Sequence, residues 1–188
     1  TIIRRGKVID SLASKQANPQ ILAEKMVGRD VSFKVSKEAV KLGEPVLQVQ
    51  DLMVRNQQGL ASLKGLNFEV KAGEILGIAG VDGNGQSELI EALTGLRNVD
   101  SGKVLLMGSD ITNQTPREIS EAGLSHIPED RHKHGLVLDF TMSENMVLET
   151  YFHPAYNKGG FLNYEAIDKH AEALIKQFDV RTPSIYNK

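Results

Sequence analysis

Two observations predict an α/β fold for this chain. An apolar run, Ile75-Leu76-Gly77-Ile78-Ala79, reads as a buried strand, and Ser87 to Leu96 reads as a helix with Leu89, Ile90 and Leu93 on one face. Between them lies the glycine-rich stretch Gly80-Val81-Asp82-Gly83-Asn84-Gly85-Gln86-Ser87-Glu88. Its spacing follows the phosphate-binding template G-x-x-x-x-G-K-[ST], which needs a strand before it and a helix after it. Gly80, Gly85 and Ser87 fit, and Gln86 stands where the template has lysine.

The remaining elements follow in chain order. Thr1 to Ile9 reads as a hairpin turning at Arg5-Gly6. Asn18-Pro19 opens a helix that carries Ile21, Leu22, Lys25 and Met26 and ends at Gly28. Residues 29–45 are charged and weakly patterned, and read as a linker with one candidate strand at Val31 to Val35. Val46 to Val49 and Leu66 to Val70 are strands, the second alternating apolar with polar residues, and Lys71-Ala72-Gly73 turns into the strand before the glycine loop. Asp100-Ser101-Gly102 is a turn, and Lys103 to Met107 is a strand. Thr115-Pro116-Arg117-Glu118 is a capping box with proline at the first helical position, and Gly123 closes that helix. Leu124 to Pro128 is a further strand. Beyond Asp139 the pattern is helical, over Ser143 to Glu149 and then Glu165 to Phe178, with Ala166, Ile167, Ala171, Leu174, Ile175 and Phe178 in phase.

Composition limits the function classes. Over 188 residues, 40% hydrophobic and 24% charged content is that of a globular protein. A net charge of −2 gives no electrostatic argument for a nucleic-acid partner. The absence of cysteine removes disulfide, thiolate-metal and thiol-nucleophile chemistry. No apolar stretch reaches the roughly 18 residues of a spanning helix, and Thr1-Ile2-Ile3-Arg4-Arg5 is not a secretory leader. With no initial methionine, the chain reads as a piece of a longer one.

The chemistry of the loop is that of a phosphate cradle. Glycines let consecutive backbone N–H groups face a phosphate, and the helix behind adds unsatisfied amides and a positive dipole end. Ser87 is placed to ligate magnesium. Gln86 offers an amide donor without the lysine's charge, so binding with poor hydrolysis is the expectation. The alternative is a plain glycine turn, with Asp82 and Asn84 as turn-makers.

The run Gly73 to Leu89 resembles the second ATP-binding domain of ABC importers for simple sugars and nucleosides, in which two such domains are fused. Ile127-Pro128-Glu129-Asp130-Arg131-His132-Lys133-His134-Gly135-Leu136-Val137-Leu138 is similar to the family's region before its helical subdomain. The wording Val81 to Gln86 is closest to the nucleoside branch. The resemblance implies an ABC-type P-loop fold, incomplete here: a mixed sheet around the loop helix, an antiparallel β part and the start of a helical subdomain. It implies residues 1–28 as the tail of a preceding ATPase domain, 29–45 as linker, 46–138 as P-loop core with β subdomain and 139–188 as the opening of the helical subdomain.

The same resemblance implies ATP and Mg²⁺ as cofactors, held by Gly80 to Glu88, with Ser87 and Glu129 at the metal. Glu129 falls at the Q-loop position, near metal and attacking water. The implied partners are the first ATPase domain of the same polypeptide, transmembrane permease subunits and, indirectly, a solute-binding lipoprotein, at the cytoplasmic face of a bacterial membrane. Departures from the family pattern are Gln86 for lysine, Glu129 in the Q-loop, and no adenine-stacking aromatic in Leu52 to Leu63. The 188 residues stop before the Leu-Ser-Gly-Gly signature, Walker B strand and switch histidine, so this chain is expected not to turn over ATP. A non-nucleotide scaffold touching the membrane subunit is the rival reading. A P-loop small-molecule kinase is weaker, because Glu129-Asp130-Arg131 and the helical tail have no place in it.

Histidines add little. His132 and His134 flank Lys133 at a spacing open to a weak metal site, against the preferred reading of a solvated charged loop. His126 reads as a satisfied core or sheet-edge histidine, and His153 and His170 as surface positions. Arg131 is left between a loop-fixing ion pair and a contact with the transporter.

Overall fold

The computed structural model describes residues 1–29, 40–81 and 83–188. The candidate strand at Val31 to Val35 therefore lies outside the described residues, as does Asp82. Two compact units are formed, Thr1–Leu42 and Gly43–Lys188.

In the first unit, β1 (Ile2–Arg4) and β2 (Lys7–Asp10) pair antiparallel. Arg5 and Gly6 turn the chain at φ 50° and 75°, the positive pair that matches strand twist in a two-residue hairpin. Helix α1 (Pro19–Val27) begins as its sequence predicts. The Asn18 side chain accepts from the Ile21 N–H at 2.8 Å, and Gly28 ends the helix in the left-handed region at φ 81°. Lys25 of α1 pairs with Asp10 of β2 at 2.6 Å.

The second unit is built on a four-stranded sheet of β3 (Pro45–Arg55), β4 (Ala61–Lys71), β5 (Ser101–Leu106) and β6 (Ser109–Asp110), in the order β4-β3-β5-β6. Every neighbouring pair in it is antiparallel. Strand β3 buries Val49, Leu52 and Val54, so the inward phase slips by one between 49 and 52. A bulge causes the slip: Asp51 takes φ 48°, and the β3–β4 register shifts across it. Asn67 holds this bulge, accepting from the Asp51 N–H at 2.9 Å and donating to the Asp51 carboxylate at 2.8 Å.

Helices α2 (Gln86–Leu93) and α3 (Pro116–Glu121) cover one face of the sheet. Leu89, Ala92 and Leu93 of α2 and Ile119 of α3 join Val49, Leu52, Val54, Leu63, Val104 and Leu106 in one core. Ile90, expected on the inner face, is 40% exposed instead. At about 25 cal/mol per Å² of apolar area buried, this cluster is the main stabilising element of the unit. The capping box of α3 forms as its sequence predicts.

Two predicted strands do not form. Ile75 to Ala79 and Leu124 to Pro128 are outside any sheet, and Ile75 and Ile127 are 83% and 87% exposed. The cause is the absence of partners: no backbone hydrogen bond joins Ile75 to Ala79 to another described residue. A run apolar on both faces is stable as a strand only between neighbours. Among the described residues the sheet is thus wholly antiparallel, and the parallel part of the expected mixed sheet is missing. Strand β5 also starts earlier than predicted, at Ser101, and ends before Met107, which turns at φ 48°.

After Gly123 the chain passes a single π turn at Arg131–Gly135. The predicted helix from Ser143 shrinks to α4 (Met142–Asn145), opened by a capping box between Thr141 and Glu144 and followed by turns. A small hairpin, β7 (Asn157–Lys158) with β8 (Phe161–Leu162), was not legible as strands, but Gly159-Gly160 at φ 61° and 90° makes its turn. Helix α5 (Tyr164–Phe178) matches its prediction, burying Ile167 and Ala171 while Phe178 stays 67% exposed. The C-terminal tail returns to α4, where the Met142 and Ser143 N–H groups donate to the Asn187 and Ile185 carbonyls at 2.8 and 3.0 Å. Tyr186 Oη donates to the Asp168 carboxylate at 2.9 Å, a bond that raises the phenol's pKa above its ordinary value.

Candidate functional site

The glycine loop is placed by two anchors. Behind it, α2 starts at Gln86, and its Leu89 N–H donates to the Gly85 carbonyl at 2.9 Å. Beside it, Gly85 is buried against β4, where a side chain has no room. Gly83 and Gly85 take φ 83° and 100°, angles glycine adopts without strain. No side chain caps α2, because its N-cap residue is Gly85. The amides of the first turn are thus left for an outside acceptor, an arrangement that suits an anion.

Inside the loop, two side-chain amides converge on one carbonyl. Asn84 Nδ2 donates to the Val81 oxygen at 2.9 Å, and Gln86 Nε2 donates to the same oxygen at 3.2 Å. Gln86 also lies over Gly80, where an added Cβ would collide with Nε2. Side chains in a first helical turn tilt back toward the N-terminus, which is why Gln86 reaches across the loop. Sequence reading places Asn84 within the phosphate-binding stretch, with turn-making as its favoured role. The signal for more was an amide at both 84 and 86, on either side of a glycine. Ser87 and Val81 are exposed, and Glu88 is half-buried on α2.

Glu129 lies at the surface just before the π turn. Among the described residues, no hydrogen bond or ion pair joins it to Gly80–Glu88. Asp130 organises that turn, accepting from the Lys133 N–H at 3.1 Å with its carboxylate and from the His134 N–H with its carbonyl. No group of three or more acidic, histidine or cysteine side chains able to hold a metal occurs among the described residues. His126 is half-buried beside Leu124 and Ile119 rather than in a sheet.

At the β3–β4 turn, Asn56 is committed to the backbone. Its carboxamide oxygen accepts from the Gln58 and Leu60 N–H groups at 3.0 and 2.9 Å, shaping the turn. One contact escaped the sequence reading altogether: the Arg117 guanidinium stacks on Phe152, 3.6 Å from the ring centroid, beside a cavity of about 270 Å³.

The two glycines at positive φ, the uncapped helix start and the close seat on β4 suit an anion. The ABC transporter family model matches residues 63–185. The chain belongs to the ABC transporter family. Its members bind ATP and Mg²⁺ through their ATP-binding cassettes.

Among curated relatives, the chain is 51% identical over 181 residues to the nucleoside import ATP-binding protein NupA of Lactococcus lactis subsp. cremoris, covering 96% of this chain and 36% of NupA. It is 52% identical over 186 residues to the guanosine import ATP-binding protein NupO of Bacillus subtilis, covering 99% of this chain and 36% of NupO. The chain thus spans about a third of the length of these relatives. Among solved structures, an ATP-binding cassette dimer with ADP and phosphate bound superposes with a TM-score of 0.58 at 20% identity, over 76% of this chain and 61% of that one. That likeness establishes the ATP-binding cassette fold, mixed α/β and partial relative to a full cassette.

Proposed function

We propose that this chain is part of the ATP-binding protein of an importer for nucleosides or simple sugars, and that its own nucleotide site is degenerate. The observation that supports this reading is the loop itself: a glycine-rich turn seated on β4 at the start of α2, with Gln86 at the template's lysine position. NupA and NupO, both import ATP-binding proteins by name, support the transport role. Backbone amides of Gly83 to Glu88 would hold the phosphates and Ser87 the Mg²⁺, with Glu129 as a further candidate ligand. When bound, the metal neutralises phosphate charge. The chain's residues position the phosphates and supply no cation of their own at position 86.

In the whole protein, residues 1–28 would end a first ATPase domain, 29–45 would link, 46–138 would form the P-loop core and 139–188 would begin the helical subdomain. Partners would be that first domain and permease subunits at the cytoplasmic membrane face, with a solute-binding lipoprotein acting indirectly and no nucleic acid. Nucleotide binding here would contribute to closure, with hydrolysis carried elsewhere.

A scaffold that binds no nucleotide is the second reading, favoured by the lack of an adenine-stacking aromatic in Leu52 to Leu63. Isothermal titration with ATP and Mg²⁺ separates the two. Saturable binding supports the degenerate site, and no heat at millimolar nucleotide supports the scaffold.

A further inference from the structure

We propose that Gln86 is a latch, a side chain of the loop that fills the loop's own phosphate seat and must swing away before a phosphate enters. The inference rests on the reading of Gly80–Ser87 as a phosphate cradle and goes beyond it by assigning the residue that gates it. Three observations carry it. Gln86 Nε2 donates to the Val81 carbonyl. The same nitrogen occupies the space directly over Gly80, so the carboxamide spans the loop from its last residue to its first. Asn84 donates to the same carbonyl, so the oxygen accepts two amide hydrogen bonds and is fixed as the anchor.

The chemistry makes the latch reversible. A neutral amide bonded to a neutral carbonyl contributes little net stability over its bonds to water. Unlike an ammonium, it has no charge to draw it from that carbonyl to a phosphate. Latched and open loops are therefore close in free energy, and a phosphate binds by displacing the amide. The ligand class is a di- or triphosphate group, and the latch lowers the apparent affinity for either by the fraction of closed loop.

The test is titration of the 188-residue chain and its Gln86→Ala variant with inorganic pyrophosphate, by calorimetry at one fixed salt concentration. Alanine is a strong helix former at this position, and circular dichroism checks that the variant is folded. The expected result is an affinity about two- to tenfold tighter in the variant, the size of one net neutral hydrogen bond. In the unsubstituted chain, the Gln86 side-chain amide resonances should move as pyrophosphate is added. Equal or weaker binding by the variant overturns the latch while leaving the cradle intact. Resonances of Gln86 that stay fixed while the Gly83 and Gly85 amides shift overturn it without reference to any variant. No binding by either protein overturns the latch and the cradle together.

Discussion

Gly85 lies against the Ser62 carbonyl, so that a Cβ at this position would stand 3.2 Å from that oxygen and 2.9 Å from Leu63 Cδ2. This contact seats the end of the glycine loop on β4. Gly85 is at the same time the N-cap of α2 and sits at φ 100°. One residue thus meets a steric and a conformational requirement.

Gly85→Ala is expected to lower stability by about 1–3 kcal/mol, from left-handed backbone strain together with the crowding on Ser62 and Leu63. Urea unfolding measures it as a lower midpoint at unchanged slope. An unchanged midpoint would mean that the loop yields freely to the sheet and is not held by it.

Carboxylates in the two capping boxes give the helix starts a pH dependence. Glu118 is held below the ordinary glutamate range by its hydrogen bond to the Thr115 hydroxyl and then by the Thr115 N–H. Glu144 is lowered by the Thr141 N–H and then by the Thr141 hydroxyl. A folded-state value below the unfolded one means that folding favours the charged form. The contribution is complete above the ordinary glutamate value of about 4.5 and is lost as pH falls through the lowered folded-state range. Replacing both Thr115 and Thr141 by alanine should therefore shrink the fall in melting temperature between pH 7 and pH 3. An undiminished fall would assign the acid sensitivity to other lowered acids, such as Asp10 and Asp110.

How much was legible in the sequence depended on whether the signal was local. The caps of α1 and α3 were readable because Asn18, Thr115 and Glu118 bond to backbone within three residues of themselves. The glycine loop was readable for the same reason. Ile75 to Ala79 and Leu124 to Pro128 were misread because apolar content predicts burial, while a strand requires partners that the described residues do not supply. The bulge at Asp51 was invisible because it depends on Asn67, sixteen positions away. At the candidate site, the glycine turn and the helix after it were legible, but the convergence of Asn84 and Gln86 on Val81 required the fold of the loop.

The 188-residue chain on its own is expected to release no phosphate from ATP above a buffer blank. Its sequence contains no Leu-Ser-Gly-Gly run, and the lysine position of the loop carries no charge. Phosphoryl transfer depends on positioned metal, water and cations, and here the loop offers backbone amides and one hydroxyl. Steady-state phosphate release at saturating ATP and Mg²⁺ is the measurement. Turnover that persists through repurification would refute the assignment of hydrolysis to another site.

Gln86→Lys is expected to tighten ATP binding while turnover stays absent. The substitution removes the amide that bridges to Val81 and puts a positive charge at the uncapped start of α2, where the proposed site would hold phosphates. A charge-assisted hydrogen bond is worth about 1–3 kcal/mol, or roughly five- to a hundredfold in affinity. Hydrolysis does not follow, because one cation supplies neither an activator for water nor the further metal ligands. Isothermal titration of both proteins with ATP and Mg²⁺ at one fixed salt concentration tests the expectation. The slope of affinity against salt should also steepen in the variant, since the added attraction is ionic and is screened. Equal affinities would place side chain 86 away from the phosphates, and the assignment of Gly80–Ser87 as a phosphate loop would then fall.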